Sequence, residues 1–381
     1  MKKLCPIVSG LLVAILIILL GVCSERARVR KYADTILPKL EEMTLREKVG
    51  QMFCIRLEHV DHRWPITEIS DSFLLKVEDY PMGGILISGY NYAGISTIRT
   101  LNEQIHNMYG YPFISIDEEG GRVVSLAHID SLELPRWETT WEIGQTHDPE
   151  KAYECGRVIG HYLKDYGLDV TFAPVADVWT NPDNIVAKRC YSDNGEEAAE
   201  MCWQFTRGLH KEGILGSYKH FPGHGNTAED SHYSAALTYK TWDELKECEL
   251  IPYYDGIAHG IQMIMVSHVA LPNVTGDTVP TSLSKYLMTD KLRNELGFEG
   301  VIITDSYGMK AVSAGRTAAE EALLGVQAGV DIVLGPIDYF EAFDAIVAAV
   351  ENGDISEERI NESVARVLTF KRWLLTHKGR R

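Results

Sequence analysis

The chain has 381 residues, 45% of them hydrophobic and 24% charged, so it can bury a large core and is not disordered. Its 37 Lys and Arg against 54 Asp and Glu give a formal net charge of −17, which argues against a nucleic-acid backbone as principal partner, since phosphate neutralisation needs clustered basic groups. Seven widely spaced cysteines without a CxxC pair argue against a disulfide scaffold or a structural zinc site, and small buried hydrophobes are the expected role for most of them.

The start of the chain stands apart. Lys2, Lys3, Arg26, Arg28, Arg30 and Lys31 against a single Glu25 make it basic. From Leu4 to Ser24 no charge occurs for 21 residues, and at about 1.5 Å per residue a helix of that length spans roughly 30 Å. Residues 1–24 are therefore expected to enter a membrane as a signal peptide, an uncleaved anchor or a lipoprotein signal. In the last case Cys23, in the lipobox-like LLGVC, would be acylated. The basic excess after the segment favours a cytoplasmic domain by the positive-inside rule; the expectation adopted is nevertheless an exported domain held at the cell envelope. Residues 25–40 form a charged tether.

From 41 to 376 one rhythm repeats. Apolar runs rich in β-branched residues occur near 51–57, 85–88, 112–117, 170–174, 216–221, 263–268, 301–305 and 331–335. Helical spacing lies between them, as in Met201, Cys202, Phe205 and Leu209, or Ile360, Val364, Val367 and Leu368. Continuously apolar strands imply a sheet covered on both faces. Eight strand–helix units predict an α/β fold of the TIM-type (β/α)8 barrel kind, with a doubly wound sheet as the alternative. No Gly/Ser-rich or Pro-rich linker interrupts this stretch, so one catalytic domain is expected at 41–376.

In such a fold chemistry sits where strands end at their C-terminal face. Asp117 ends the third run, Lys219 and His220 the fifth, His268 the sixth and Asp305 the seventh. Any one such Asp commonly serves as a helix N-cap; together they point to a site. The densest stretch is KHFPGHGNTAEDSH (219–232), with three of the 13 histidines. Pro222, Gly223 and Gly225 keep it from being helical, so it reads as a loop able to fold over a pocket. Asp230 two residues before His232 can orient the imidazole and raise its pKa, as a proton donor requires. His220, His224, Asp230 and His232 are also possible metal ligands. Their spacing does not match HExxH, however, and Lys219 would set a cation beside the metal, so no metal or cofactor is expected.

Longer motifs then carry a resemblance: MTLREKVGQMF (43–53), DEEGGRV (117–123), FAPVADV (172–178), Arg-Cys-Tyr-Ser (189–192), KHFPGHG followed by DSH, MIMVSHVALP (263–272) and GVIITDSYGM (300–309), in that order. The sequence resembles glycoside hydrolase family 3, and most closely its single-domain bacterial β-N-acetylhexosaminidases. The resemblance implies Asp305 as nucleophile, His232 as general acid/base with Asp230 as its partner, and Asp117, Arg189, Lys219 and His220 as groups that hold the sugar. Arg122 and His268 are further candidates for substrate binding, and Asp177 reads as architectural. The implied activity is retaining, exo-acting removal of N-acetylglucosamine from peptidoglycan fragments or chitooligosaccharides, a carbohydrate partner that needs no cofactor. A β-glucosidase or a glycoside phosphorylase of the same fold, or a membrane-tethered sugar-binding protein without turnover, are the alternatives.

Overall fold

The computed structural model of the chain describes residues 31–92, 94–184, 186–227, 236–313 and 315–378. The expected membrane segment at 1–24 lies outside the described residues. Among those described, no helix is long and apolar enough to cross a membrane.

Nine short strands fall on the eight predicted runs: β1 (Phe53–Ile55), β2 (Gly84–Leu86), β3 (Phe113–Ile116), β4 (Val170–Thr171), β5 (Leu215–Gly216), β6 (Tyr218–Phe221), β7 (Met263–Val266), β8 (Val301–Thr304) and β9 (Val333–Leu334). The fifth run is broken at Ser217 into β5 and β6. The helices that alternate with these strands include α1 (Leu45–Gln51), α2 (Asp71–Asp79), α3 (Ile95–His106), α4 (Pro149–Asp165), α5 (Gly195–Glu212), α6 (Ile251–Ala258), α7 (Ala318–Ala328), α8 (Tyr339–Glu351) and α9 (Glu357–Lys378). A helix of wider π spacing, Tyr286–Glu295, follows β7. Thr44 and Glu47 close a capping box that starts α1, and Thr317 and Glu320 do the same for α7.

Among the described residues, every pairing between these strands is parallel. One sheet runs β5-β4-β3-β2-β1-β9 and the other β6-β7-β8. Parallel bridges Val175–Lys219 and Ile303–Ile332 join them. The result is a TIM-like α/β fold. Gly84 permits the β2–β3 approach, because a Cβ there would come within 2.3 Å of the Phe113 ring.

The strands are buried on both faces, and alternate residues enter two different layers. Cys54, Leu86, Met263, Met265, Val301 and Ile303 point into an inner cluster. Phe53, Ile55, Ile85, Ile264, Val266 and Ile302 point outward beneath the helices. Helix α9 closes the inner cluster at the strands' N-terminal ends with Val367, Phe370 and Leu374. Phe370 meets Phe113 edge to face, with ring centroids 5.4 Å apart. Beside it, buried Lys371 donates to Gln51 Oε1 at 2.6 Å and to the Gly110 carbonyl at 2.9 Å, just ahead of β1 and β3. Burial pulls the Lys371 pKa down to about 7. Cys54, Cys155, Cys190 and Cys202 are free and buried, as small hydrophobes would be.

Phe370→Ala would open a cavity in this plug and cost about 3–5 kcal/mol. Urea unfolding should show it as a lowered midpoint; a loss below about 1 kcal/mol would mean that α9 does not close the inner layer.

Candidate active site

A cavity of about 500 Å³ opens at the strands' C-terminal ends, and Asp117, Arg189, Lys219, His220 and Asp305 all line it. Strand ends gather four of these residues, and a loop turn brings in the fifth. Asp117 follows β3, Lys219 and His220 belong to β6, Asp305 follows β8, and Arg189 closes a short turn after β4.

The centre is a buried charge cluster. Lys219 Nζ lies 3.0 Å from Asp117 Oδ1 and 2.7 Å from Glu119 Oε1. Arg189 grips Glu119 with two bonds, Nε to Oε2 at 2.9 Å and Nη2 to Oε1 at 2.7 Å. Burial alone would raise the Glu119 pKa, but the charges of Arg189 and Lys219 outweigh it and hold the carboxyl at about 2. Burial likewise works against charge on Lys219, and Glu119 and Asp117 overcome it, leaving its pKa raised.

A second pair orients His220. The Asp177 carboxylate contacts the imidazole Nδ1 at 2.7 Å and accepts the backbone N–H of His220 at 3.1 Å and of His224 at 2.6 Å. Burial opposes ionisation of Asp177, yet the charge of His220 and its hydrogen bond keep the pKa at about 2. Asp177 thereby fixes the ring of a residue that lines the cavity.

Asp305 is half-buried. Its Oδ1 accepts the Ser306 N–H at 2.7 Å, and its own N–H donates to the Val266 carbonyl at 2.8 Å. Burial would raise its pKa, but the positive charge of His220 and His268, the Ser306 N–H and Lys219 hold it below the ordinary aspartate value. The carboxylate stays anionic at neutral pH.

Two of the predicted binding residues lie away from the cavity lining. Arg122 is exposed at the tip of the turn after Asp117 and does not line the cavity, where Val123 takes its place. The turn folds back so that the Glu119 N–H reaches the Val123 carbonyl at 2.9 Å, which directs Arg122 outward. His268 does not line the cavity either. It is buried, with Nδ1 2.8 Å from Ser282 Oγ and Nε2 3.0 Å from the Ser306 carbonyl, so it buttresses the segment that carries Asp305.

Asp230 and His232 lie outside the described residues. The chain on either side of them is fastened: Asn184 Nδ2 donates to the carbonyls of His224 and Thr227 at 2.7 Å each, and the Ala270 N–H donates to the Ala236 carbonyl at 2.9 Å. Buried Glu249 accepts from Asn226 Nδ2 at 3.2 Å and from Lys240.

Sequence reasoning missed Glu119, Arg56 and His59. Glu119 stood inside a quoted motif, and Arg56 ends the first apolar run, so its strand-end position was the available signal. Both Arg56 and His59 line the cavity. Arg56 Nη1 donates to Ser88 Oγ and to Tyr90 Oη at 2.7 Å each. Burial and the Arg56 charge lower the His59 pKa to about 4, so this ring is neutral. Among the described residues no group of three His, Cys, Asp or Glu is placed to hold a metal ion.

Residues 44–370 match the family described as "Glycosyl hydrolase family 3 N terminal domain". Beta-hexosaminidase A of Pseudoalteromonas piscicida is 29% identical over 341 residues, which cover 82% of this chain and 56% of that relative. A Beta-hexosaminidase of Neisseria meningitidis serogroup B is 32% identical over 262 residues, covering 67% and 72%. A solved glycoside hydrolase family 3 β-N-acetylglucosaminidase from Paenibacillus sp. str. FPU-7 superposes with a TM-score of 0.81 at 33% identity, over 88% of this chain and 63% of that one. The chain thus spans just over half of the first relative's length and under two thirds of the Paenibacillus chain.

Replacing Glu119 by Gln keeps the shape and removes the charge on which Lys219 and Arg189 converge. Its folded pKa of about 2 lies below the unfolded value of about 4.3, so Glu119 contributes about 3 kcal/mol that is fully present above pH about 4.3. That contribution disappears as pH falls towards 2. Glu119→Gln should therefore be less stable than the parent at pH 7, and the gap should narrow between pH about 4.5 and 2. A gap independent of pH would contradict this assignment.

Proposed function

We propose, for a chain that belongs to glycosyl hydrolase family 3, a retaining exo-β-N-acetylglucosaminidase that removes terminal N-acetylglucosamine from peptidoglycan fragments or chitooligosaccharides. The observation that carries this is the anionic Asp305 carboxylate lining the same cavity as Asp117, Lys219, His220 and Arg189.

In the first step the Asp305 carboxylate attacks the anomeric carbon as its bond to the leaving oxygen breaks. His232, oriented by Asp230, gives its proton to that oxygen, and a glycosyl ester on Asp305 remains. In the second step the neutral imidazole takes a proton from water, the hydroxyl bonds to the anomeric carbon, and Asp305 is released as carboxylate. Two inversions give retention. Asp117, Lys219, His220 and Arg189 hold the sugar's hydroxyls through charge-assisted hydrogen bonds. Lys219 and Arg189 arrive already fixed by Glu119, so little ordering is left for substrate binding to supply.

The parallel pairings of both sheets and the two bridges between them support a closed (β/α)8 barrel, which would put every strand end on one rim. The uncharged run at 4–24 would hold the enzyme at a membrane, with the domain on the outer side and Cys23 as a lipidation site.

Asp305→Ala should abolish turnover of an aryl N-acetylglucosaminide, and a mechanism-based fluorosugar should add its mass at Asp305. A label on another residue would refute the nucleophile assignment. His232→Ala should slow substrates with poor leaving groups far more than activated aryl glycosides; equal loss on both would count against its acid role.

A further inference from the structure

The described chain begins with a helical stretch, 31–36, docked at one end of the molecule. Ala33 and Leu37 pack with Tyr111 and Leu375, and Asp34 pairs with Arg372 at 3.1 Å. Tyr111 immediately precedes β3, and Leu375 lies in the last turns of α9, the helix that plugs the strands' N-terminal ends. Asp117, in the catalytic cavity, follows the other end of that same β3. At about 3.3 Å per residue the two ends stand roughly 20 Å apart.

Seven peptide steps separate Ser24, the last residue of the uncharged run, from Lys31. They span at most about 25 Å, so the N-terminal face is tethered close to wherever that run ends. The sequence that follows the uncharged run and the last ten residues of the chain are basic, opposite to the chain as a whole. Residues 25–31 hold Arg26, Arg28, Arg30 and Lys31 against Glu25, and residues 372–381 hold four basic and no acidic side chains in a protein of net charge −17. Two tyrosines of the same end are open to solvent, Tyr32 at 58% and Tyr109, in the turn before β3, at 47%. Basic groups beside a membrane segment attract anionic headgroups, and tyrosines are enriched at the headgroup level.

We infer that the strands' N-terminal face, with helix 31–36 and the end of α9, lies against an anionic bilayer surface, so that the catalytic cavity opens away from the membrane. This rests on the proposed membrane insertion of residues 1–24. The orientation leaves the cavity mouth free for polymeric or particulate glycans that could not enter a gap between protein and lipid.

The test uses the full chain reconstituted in vesicles of phosphatidylcholine with about one third phosphatidylglycerol, carrying a nitroxide on a fraction of the headgroups. An environment-sensitive fluorophore is placed on Tyr109→Cys, on Tyr32→Cys as a second position of the same face, or on Ile337→Cys at the cavity rim, where the native side chain is 74% exposed. The parent chain, treated in parallel, gives the background from its own thiols. Nitroxide quenching at 109 and 32 should exceed that at 337 by about threefold or more, because the rim stands a full strand length further from the lipid. Equal quenching, or more at 337, overturns the orientation while leaving insertion intact. A chain that does not float with the vesicles overturns the insertion and the orientation together.

Discussion

Glu119 accepts hydrogen bonds from Lys219 and from two nitrogens of Arg189 in a place with almost no water, and the layout of the site follows from that contact. Removing an ion from water costs several kcal/mol even after relaxation, so a buried carboxylate of this kind persists only where cations meet it in good geometry. Satisfying Glu119 requires the turn after β3, the segment ending at Arg189 and strand β6 to converge. Once they do, Lys219 has donors left for Asp117, and both cations are held at the cavity wall. Asp177 does for His220 what Glu119 does for Lys219, and His268 does the same for the segment behind Asp305. The groups that face the cavity are thus fixed by a layer of buried polar residues behind them.

The strands were legible because a sheet buried on both faces needs continuous apolar runs, and each run in the sequence became a strand. The interruption at Ser217 was not legible: nothing in local composition separates Leu215 from Tyr218, and the break reflects a change of pairing partner, β4 on one side and β7 on the other. Strand-end logic found Asp117, Lys219, His220 and Asp305. It does not reach the turn in which the chain folds back on itself. Asp117, Glu118 and Glu119 are three successive acids, and the hairpin bridge between Glu118 and Val124 decides their separate fates. Glu118 turns inward to accept the N–H groups of Ser125, Leu126 and Ala127. Glu119 meets the cations, and Arg122 is carried outward. His268 follows the end of a strand, yet its ring faces Ser282 and Ser306, a direction set by a hydroxyl 14 residues away and a backbone carbonyl 38 residues away.

The two ends of the strands divide the work. At one end α9 and its Phe370 seal the inner layer, and the first described helix docks beside it; at the other the charge cluster and the cavity occupy the rim. Parallel strands make this division possible, since all of them present the same end to the same side.

The central claim is that buried cations keep Asp305 anionic and ready to attack. It is tested most directly by the pH dependence of fluorosugar labelling at Asp305 in the parent and in His220→Asn. The account predicts an acid limb below the ordinary aspartate pKa of about 3.9 in the parent, moved to higher pH when the His220 charge is removed. A limb at the same pH in both proteins would contradict it.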